Sequence, residues 1–307
     1  EAETAKEAGV RGVLGETVIG FPSPDHKNWQ ETIAATEKYI ERFRNDDLIV
    51  PAVAPHAIYT TPDEALVAAH RLATKYNVPL LIHLAEMKKE RDDAVRVRKM
   101  TPTEVLDKLG VLDGRVVAAH CIYETDGDLA ILKRHGTGVA HCPSSNTKMA
   151  SGVARVAEML QQGVTVGLGT DGFAGSNDTA DLMLEMDLAA KLQKITTMDP
   201  TVLPAEQVVA MATIGGAKVL GMEKEIGSLE AGKRADLISV SLDVPNAKPL
   251  YNVYSILAYA MKPGDVEDVF VNGREVVSAR RVLTLNAPEI YRKAEEYREG
   301  IVTGLQQ

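Results

Sequence analysis

The chain has 307 residues, of which 45% are hydrophobic and 25% charged, and its formal net charge is −9 at pH 7. This composition is typical of a soluble globular protein with room for one α/β domain and a smaller second one. The acidic balance argues against a nucleic-acid partner, and no stretch is apolar and long enough to predict a membrane span. Two cysteines, Cys121 and Cys142, do not form a disulfide framework, so the predicted compartment is the cytoplasm.

Strand and helix patterns alternate from the start of the chain to about Leu220. Two helix starts share the pattern Thr-Pro-x-Glu, at Thr61 and at Thr101, which predicts an N-cap, a proline in the first turn and a capping-box glutamate. Strict alternation of strands and helices predicts a parallel sheet. The predicted strands are 10–17, 48–55, 79–84, 116–120, 138–141 and 164–169, and the predicted helices are 2–8, 29–44, 61–76, 126–135, 153–162, 180–194 and 205–220, with another starting at 101.

Four apolar runs end in residues that can bind a metal or move a proton: His83, followed by Glu86, then His120, His141 and Asp171. In a barrel of parallel strands these ends meet at one opening, which is where barrel enzymes carry their active sites. No Gly-x-Gly-x-x-Gly follows the first strand, which argues against a dinucleotide-binding sheet. The predicted fold is therefore a (β/α)8 TIM-type barrel.

The sequence changes character after Leu220, where short β runs replace the alternation. Asn272-Gly273 predicts a tight hairpin between two of these runs. The chain opens inside a helix without an initiator methionine, and only six βα units are visible, so we expect the first barrel strands to precede Glu1. The predicted domains are an incomplete barrel over 1–222, part of a small β-sandwich over 223–284, and a C-terminal helix over 285–307 that packs back on the barrel.

Three of the strand-end residues are candidates for a metal site. Imidazole is the commonest protein metal ligand, so His83 is a candidate ligand, and His120 could be a ligand or could orient a metal-bound hydroxide. Asp171 could bind zinc and accept the proton of the attacking water. Glu86 could reach a substrate atom beside that water. Each residue alone could be structural, but several titratable strand ends at one opening favour a functional site.

The other histidines and the cysteines receive weaker assignments. His56 also stands at a strand end and could either contact the substrate or be structural. His141 is predicted to hold its loop by hydrogen bonds rather than to bind metal. Cys121 and Cys142 each follow a strand-end histidine, so the alternation of side chains points both thiols into the barrel wall.

Four segments of the chain resemble the ordered motifs of the amidohydrolase superfamily. The similarity is greatest to its cytosine deaminase-like branch, which includes the 5-methylthioadenosine/S-adenosylhomocysteine deaminases and related chlorohydrolases. Residues 211–217 and 227–236 resemble the last barrel helix and the returning β-sandwich of that branch, so the resemblance covers nearly the whole chain. The four motifs are His83-Leu-Ala-Glu86, Ala118-Ala-His-Cys121, the segment from His141 to Gly152, and Gly167-Leu-Gly-Thr-Asp-Gly172.

This resemblance implies one divalent metal, zinc in most members, with iron as a further option. It implies His83 and Asp171 as metal ligands, His120 beside the water or the metal, Glu86 as the proton shuttle, and His56 near the substrate. The family also carries a His-x-His pair of ligands on its first strand, and no His-x-His occurs in this sequence. Metal binding by this chain is therefore expected to be weak or absent.

The predicted activity is hydrolytic deamination of an aminated purine nucleoside, such as methylthioadenosine or S-adenosylhomocysteine, by a metal-activated water that attacks the amino-bearing ring carbon. Two alternatives stay open: removal of chloride or an amine from a triazine-like ring, and a non-catalytic barrel without a full metal site. The predicted partner is a small molecule, with no nucleic acid and no membrane. Exposed apolar edges of an incomplete barrel also favour a homo-oligomer.

Overall fold

The computed structural model describes residues 1–172 and 174–305, and its larger sheet has six parallel strands. The spatial order of the strands equals their order along the chain. A doubly wound sheet reverses direction at a switch point, whereas this order continues one way round, as in a TIM-type barrel. The predicted α/β fold class is confirmed. The strands are β1 (Gly12–Val18), β2 (Ile49–Pro55), β3 (Leu80–Leu84), β4 (Val116–His120), β5 (Gly138–His141) and β6 (Thr165–Leu168).

Eleven described helical segments precede or follow these strands. The predicted helices agree with them within three residues, but the helices Lys88–Arg98 and Pro143–Lys148 were not predicted. The last two of the eleven segments are joined by a π-helical turn, Met211–Gly215. The segments are α1 (Ala2–Ala8), α2 (Trp29–Phe43), α3 (Asp63–Tyr76), α4 (Lys88–Arg98), α5 (Pro102–Lys108), α6 (Asp126–His135), α7 (Pro143–Lys148), α8 (Val156–Gln161), α9 (Leu182–Thr197), α10 (Ala205–Ala210) and α11 (Gly216–Val219).

The main core lies between the parallel strands and the helices that cover them. Helix α3 buries Ala65, Leu66, Ala69, Leu72 and Ala73, which recur at the spacing of one helical face. The strands supply buried aliphatic residues to the same core, which is the reason they read as continuous apolar runs. These contacts fix the strands in place and so fix the positions of the side chains at their ends.

Only one of the two Thr-Pro-x-Glu patterns forms the predicted capping box. Thr101 Oγ1 accepts from the N–H of Glu104 at 3.1 Å, and the carboxylate of Glu104 accepts from the N–H of Thr101 at 2.7 Å. The prediction for Thr61 is wrong, because its hydroxyl donates instead to the carbonyl of Val18 at 3.2 Å and α3 begins after Pro62. A tertiary hydrogen bond has replaced the local one.

The second sheet is antiparallel. Its strands are β7 (Leu237–Val240), β8 (Val266–Val271), β9 (Arg274–Ser278) and β10 (Arg281–Val282), and helix α12 (Val253–Tyr259) lies between the first two in sequence. Their spatial order is β10-β9-β8-β7. The predicted Asn272-Gly273 hairpin joins β8 to β9, and both turn residues have positive φ, 52° and 78°.

The closing helix α13 spans Ala287–Leu305 and has no buried residue, as its polar sequence predicts. The three domain ranges, and the packing of this helix on the barrel, stay predictions, and the last two residues of the third range lie outside the described residues. Among the described residues, no helix combines the length and the apolar character needed to cross a membrane.

Candidate metal centre and active site

The carboxyl ends of β2 to β6, called the mouth below, bring His83 and His120 together. Their rings stack with centroids 5.6 Å apart and planes 15° apart. The strand register pairs His83 with Ala119, so continued alternation would turn His120 to the other face of the sheet. His120 instead has a φ of 73°, outside strand geometry, and this left-handed backbone accompanies the turn of its ring toward His83.

His83 is oriented by a backbone hydrogen bond. Its Nδ1 lies 2.8 Å from the carbonyl oxygen of His56. Because a carbonyl can only accept, Nδ1 is the donor, and Nε2 is the nitrogen that remains for a metal. This is the arrangement that protein ligands of zinc adopt, with the second ring nitrogen held by an acceptor.

His120 is oriented in the same way by a side chain from the next βα unit. Its Nδ1 lies 2.9 Å from Oδ1 of Asn146, and the His120 side chain is buried. The Nε2 of His120 therefore keeps its lone pair and faces Oδ2 of Asp171 at 3.9 Å. That separation is too long for a hydrogen bond and leaves both atoms available to a common partner.

Asp171 follows the end of β6 by three residues and has a φ of 61°. The hydroxyl of Ser145 donates to Oδ2 at 2.6 Å, and the N–H of Gly172 donates to Oδ1 at 2.6 Å. Burial acts to raise the pKa of Asp171, but these hydrogen bonds outweigh it, and the pKa is lowered. Asp171 is therefore a carboxylate at neutral pH.

His83, His120 and Asp171 together fit a divalent metal ion. One potential ligand atom from each lies within 4.8 Å of the other two. Two neutral imidazole nitrogens and one carboxylate oxygen form a donor set that zinc accepts, and catalytic zinc sites keep three protein ligands. The structure thus brings together all three residues that the sequence nominated for the metal.

His56 and Glu86 lie next to this cluster. The ring of His56 is 4.8 Å from the ring of His83, and its Nδ1 lies 2.8 Å from the hydroxyl of Thr60. Burial and the neighbouring His83 lower the pKa of His56, while Glu86 acts in the opposite direction. His56 is therefore a neutral imidazole that can hydrogen-bond a substrate. The carboxyl of Glu86 is close enough to influence it.

His141 does not have the role that the sequence analysis gave it. The residue is 1% exposed, and neither ring nitrogen has a hydrogen-bond partner within the described part of the chain. Burial and the nearby His120 lower the pKa of His141 to about 3. The expected loop-holding hydrogen bonds are therefore absent among the described residues. Ser145 and Asn146, both on α7, make the polar contacts with Asp171 and His120 instead.

The two cysteines are buried, as predicted. Cys121 is 0% and Cys142 4% exposed, and both are free thiols. Burial is the main cause that raises the pKa of each thiol. Neither residue is therefore a thiolate at neutral pH, which agrees with a place in the barrel wall rather than in the chemistry.

A buried carboxylate that sequence reasoning missed supports the Asp171 side of the mouth. Glu185 on α9 is 0% exposed, and it accepts hydrogen bonds from the N–H of Ser144 at 3.0 Å and from Nδ2 of Asn177 at 3.2 Å. Asn177 Nδ2 also donates to the carbonyl of Thr170 at 2.8 Å. Glu185 therefore ties the start of α7 to the loop that carries Asp171. Its place on an ordinary amphipathic helix gives no sequence signal for this role.

Comparison with known proteins finds a family match and close relatives. Residues 2–276 match the amidohydrolase family. The 5-methylthioadenosine/S-adenosylhomocysteine deaminase of Thermodesulfovibrio yellowstonii is 43% identical over 300 residues, which cover 98% of this chain and 68% of that protein. An adenosine deaminase from Xanthomonas campestris with bound zinc superposes with a TM-score of 0.96 at 34% identity, covering 98% of this chain and 69% of its own.

A further structural relative has a different leaving group in its name. The atrazine chlorohydrolase of Arthrobacter aurescens TC1, complexed with zinc, superposes with a TM-score of 0.88 at 25% identity, over 96% of this chain and 67% of its own. The resemblance inferred from the four sequence motifs is confirmed by these matches.

Proposed function

Because this chain belongs to the amidohydrolase family, we propose that it acts as a metal-dependent deaminase of aminated purine nucleosides. The proposed substrates are adenosine derivatives such as 5-methylthioadenosine and S-adenosylhomocysteine, the compounds named in its relative at 43% identity. The observation that carries the proposal is the meeting of His83, His120 and Asp171 within 4.8 Å of one another.

In this proposal His83, His120 and Asp171 would hold one divalent metal, with zinc as the proposed ion. When bound, the metal would supply a water molecule whose pKa is lowered to about 7. The residues fit this task because Nδ1 of each histidine is engaged in a hydrogen bond, which leaves Nε2 for the metal, and Asp171 is ionised.

The protein's own groups would then move the protons. Glu86 donates a proton to the ring nitrogen beside the amino-bearing carbon, which makes that carbon electrophilic. Asp171 accepts a proton from the attacking water and passes it to the departing amine. A carbon–oxygen bond forms and the carbon–nitrogen bond breaks, so the amine leaves as ammonia. The proton of the new hydroxyl returns to Glu86, which leaves a carbonyl on the ring and restores the acid. Since Nδ1 of His56 is engaged with Thr60, its Nε2 is the atom that contacts the substrate.

A second candidate function is hydrolysis of a triazine-like ring with chloride or an alkylamine as the leaving group. The similarity to atrazine chlorohydrolase favours it, at 25% identity. Proton uptake from the water by Asp171 and ring-nitrogen protonation by Glu86 serve both reactions, but chloride leaves as an anion without the proton that the departing amine takes. The two differ in what the pocket accepts, so a panel of adenosine derivatives and chlorotriazines, assayed for ammonia and for chloride release, separates them. Turnover of triazines alone would replace the nucleoside proposal.

The decisive substitution is Glu86→Gln in the intact protein. It keeps the shape of the side chain but removes the transferable proton, so we expect kcat for ammonia release to fall by about 10²–10⁴-fold. Zinc content, measured by elemental analysis, should stay unchanged. Glu64→Gln, an exposed glutamate on α3, is the control and should have no effect. Full activity of Glu86→Gln would refute the proposed role of Glu86.

A further inference from the structure

Glu90 is a buried carboxylate that takes no part in the steps above. It lies in the first turn of α4 and is 6% exposed. Its Oε1 accepts a hydrogen bond from the N–H of Ala85 at 3.2 Å, and its Oε2 accepts one from the N–H of Glu86 at 2.9 Å. The two oxygens thus hold two consecutive N–H groups of the turn that carries Glu86.

That turn has a backbone conformation that needs support. Ala85 has a φ of 50°, in the left-handed region that residues other than glycine rarely adopt. The carbonyl of Ala85 accepts from the N–H groups of Ile122 and Tyr123 at 3.1 and 3.0 Å. Glu90 holds the opposite side of the same residue. The peptide before Glu86 is therefore fixed at both its N–H and its C=O ends.

We propose that Glu90 is a positioning residue, which aims the carboxyl of Glu86 at the substrate by holding the N–H groups of Ala85 and Glu86. The inference rests on the proposed role of Glu86 as proton donor. The two oxygens of a carboxylate suit the place, because both partners are donors. A glutamine offers one acceptor oxygen and turns its NH2 group toward the other N–H, so one of the two hydrogen bonds is lost.

The competing explanation is that Glu90 only stabilises the start of its helix. It stands at the third position of α4, where glutamate commonly reaches back to the N-cap. Glu104 stands at the third position of α5 and accepts from the N–H of Thr101 at 2.7 Å, on a turn that carries no candidate site residue. Glu104→Gln is therefore a matched control for Glu90→Gln: the same change at the same helix position.

The test is a double-mutant cycle in the intact protein with Glu86→Gln, Glu90→Gln and the double variant, measuring kcat and KM for a nucleoside and the melting temperature. A misaimed catalytic group can cost about 10²-fold, so we expect Glu90→Gln to lower kcat by about 10–100-fold while KM changes less than about twofold. In the Glu86→Gln background the same change should alter kcat less than about twofold, because the side chain at position 86 no longer donates a proton and its orientation no longer affects the rate. Glu104→Gln should lower the melting temperature and leave kcat unchanged.

Several outcomes would overturn the inference. An equal loss from Glu90→Gln in both backgrounds would make Glu90 a structural residue, as would an equal loss of kcat in Glu104→Gln. If Glu90→Gln does not fold, Glu90→Asp replaces it in the same cycle, with the same non-additivity required. Full activity of Glu86→Gln would refute the proposed function and this inference together, whereas an inactive Glu86→Gln with additive losses would overturn this inference alone.

Discussion

A buried glutamate in the loop between β4 and α6 is expected to make the stability of the protein depend on pH. Glu124 is 5% exposed, and its two carboxylate oxygens accept from the hydroxyl of Thr103 at 2.9 and 2.7 Å. Arg155 reaches the backbone carbonyl of Glu124 and not its carboxylate. Burial, reinforced by the nearby Asp128, raises the pKa of Glu124 from 4.5 to about 8, although the Thr103 hydrogen bond acts to lower it.

The sign and size of the effect follow from this pKa. The folded state holds the Glu124 proton more tightly than the unfolded state, so its contribution is fully present below pH 4.5 and is lost as the pH rises to about 8. The difference between about 8 and 4.5 is about 3.5, and each pKa unit corresponds to about 1.4 kcal/mol. The free energy of unfolding should therefore fall by on the order of 5 kcal/mol across this range through Glu124 alone.

Glu124→Gln tests this reasoning. Glutamine has the same size, stays neutral at every pH, and can still accept the Thr103 hydroxyl. We expect the variant and the parent protein to have similar urea-unfolding free energies at pH 5, and the variant to be more stable by several kcal/mol at pH 8.5. Glu64→Gln, on the surface, should leave the pH dependence unchanged. Parallel curves for the parent and Glu124→Gln would refute the buried-acid explanation.

Two further predictions address the metal site and the packing behind it. Asp171→Asn should weaken zinc binding by at least about tenfold in a chelator competition, because a charged ligand becomes neutral. The control Asp178→Asn, at an exposed position, should bind zinc as the parent protein does. Equal zinc affinities of Asp171→Asn and the parent would argue against Asp171 as a ligand. Gly167→Ala should lower the free energy of unfolding in urea by about 1–3 kcal/mol, because the new Cβ would lie 2.8 Å from the Cα of Gly216. The control is Gly175→Ala, whose Cβ would have no atom within 4 Å, and it should change the free energy of unfolding by less than about 0.5 kcal/mol. Equal stabilities of the two glycine variants would contradict the close packing of β6 on α11.

The residues at the strand ends were predictable because topology alone brings them together. His83, His120 and Asp171 each close an apolar run, and parallel strands in chain order carry all such ends to one side. This conclusion does not depend on the conformation of the loops that join the strands to the helices. The helix starts at Thr61 and Thr101 show where local sequence patterns fail. Both have the sequence Thr-Pro-x-Glu, but the Thr61 hydroxyl donates to the distant carbonyl of Val18 and forms no capping box.

The supporting residues were not predictable in the same way. Glu90 lies in the stretch Lys-Lys-Glu-Arg-Asp-Asp, which has the composition of a solvated helix face, yet its carboxylate is buried and bonded to the turn before it. Asn146 meets His120 across 26 residues of sequence. His141 shared the strand-end pattern but lacks hydrogen-bond partners in the described chain. The direction of a side chain at a strand end depends on a few backbone angles, and these have no clear sequence signal.

The left-handed backbone at the mouth has a consequence for how such a protein can evolve. Ala85, His120, Cys121 and Asp171 all have φ values between 46° and 73°, where glycine would be relaxed. Selection for thermal stability alone would favour glycine at these places, but at His120 and Asp171 glycine would remove a candidate ligand. Stability and function therefore favour different residues here: stabilising substitutions should accumulate in the helices and the second sheet, whereas His120 and Asp171 should keep their side chains.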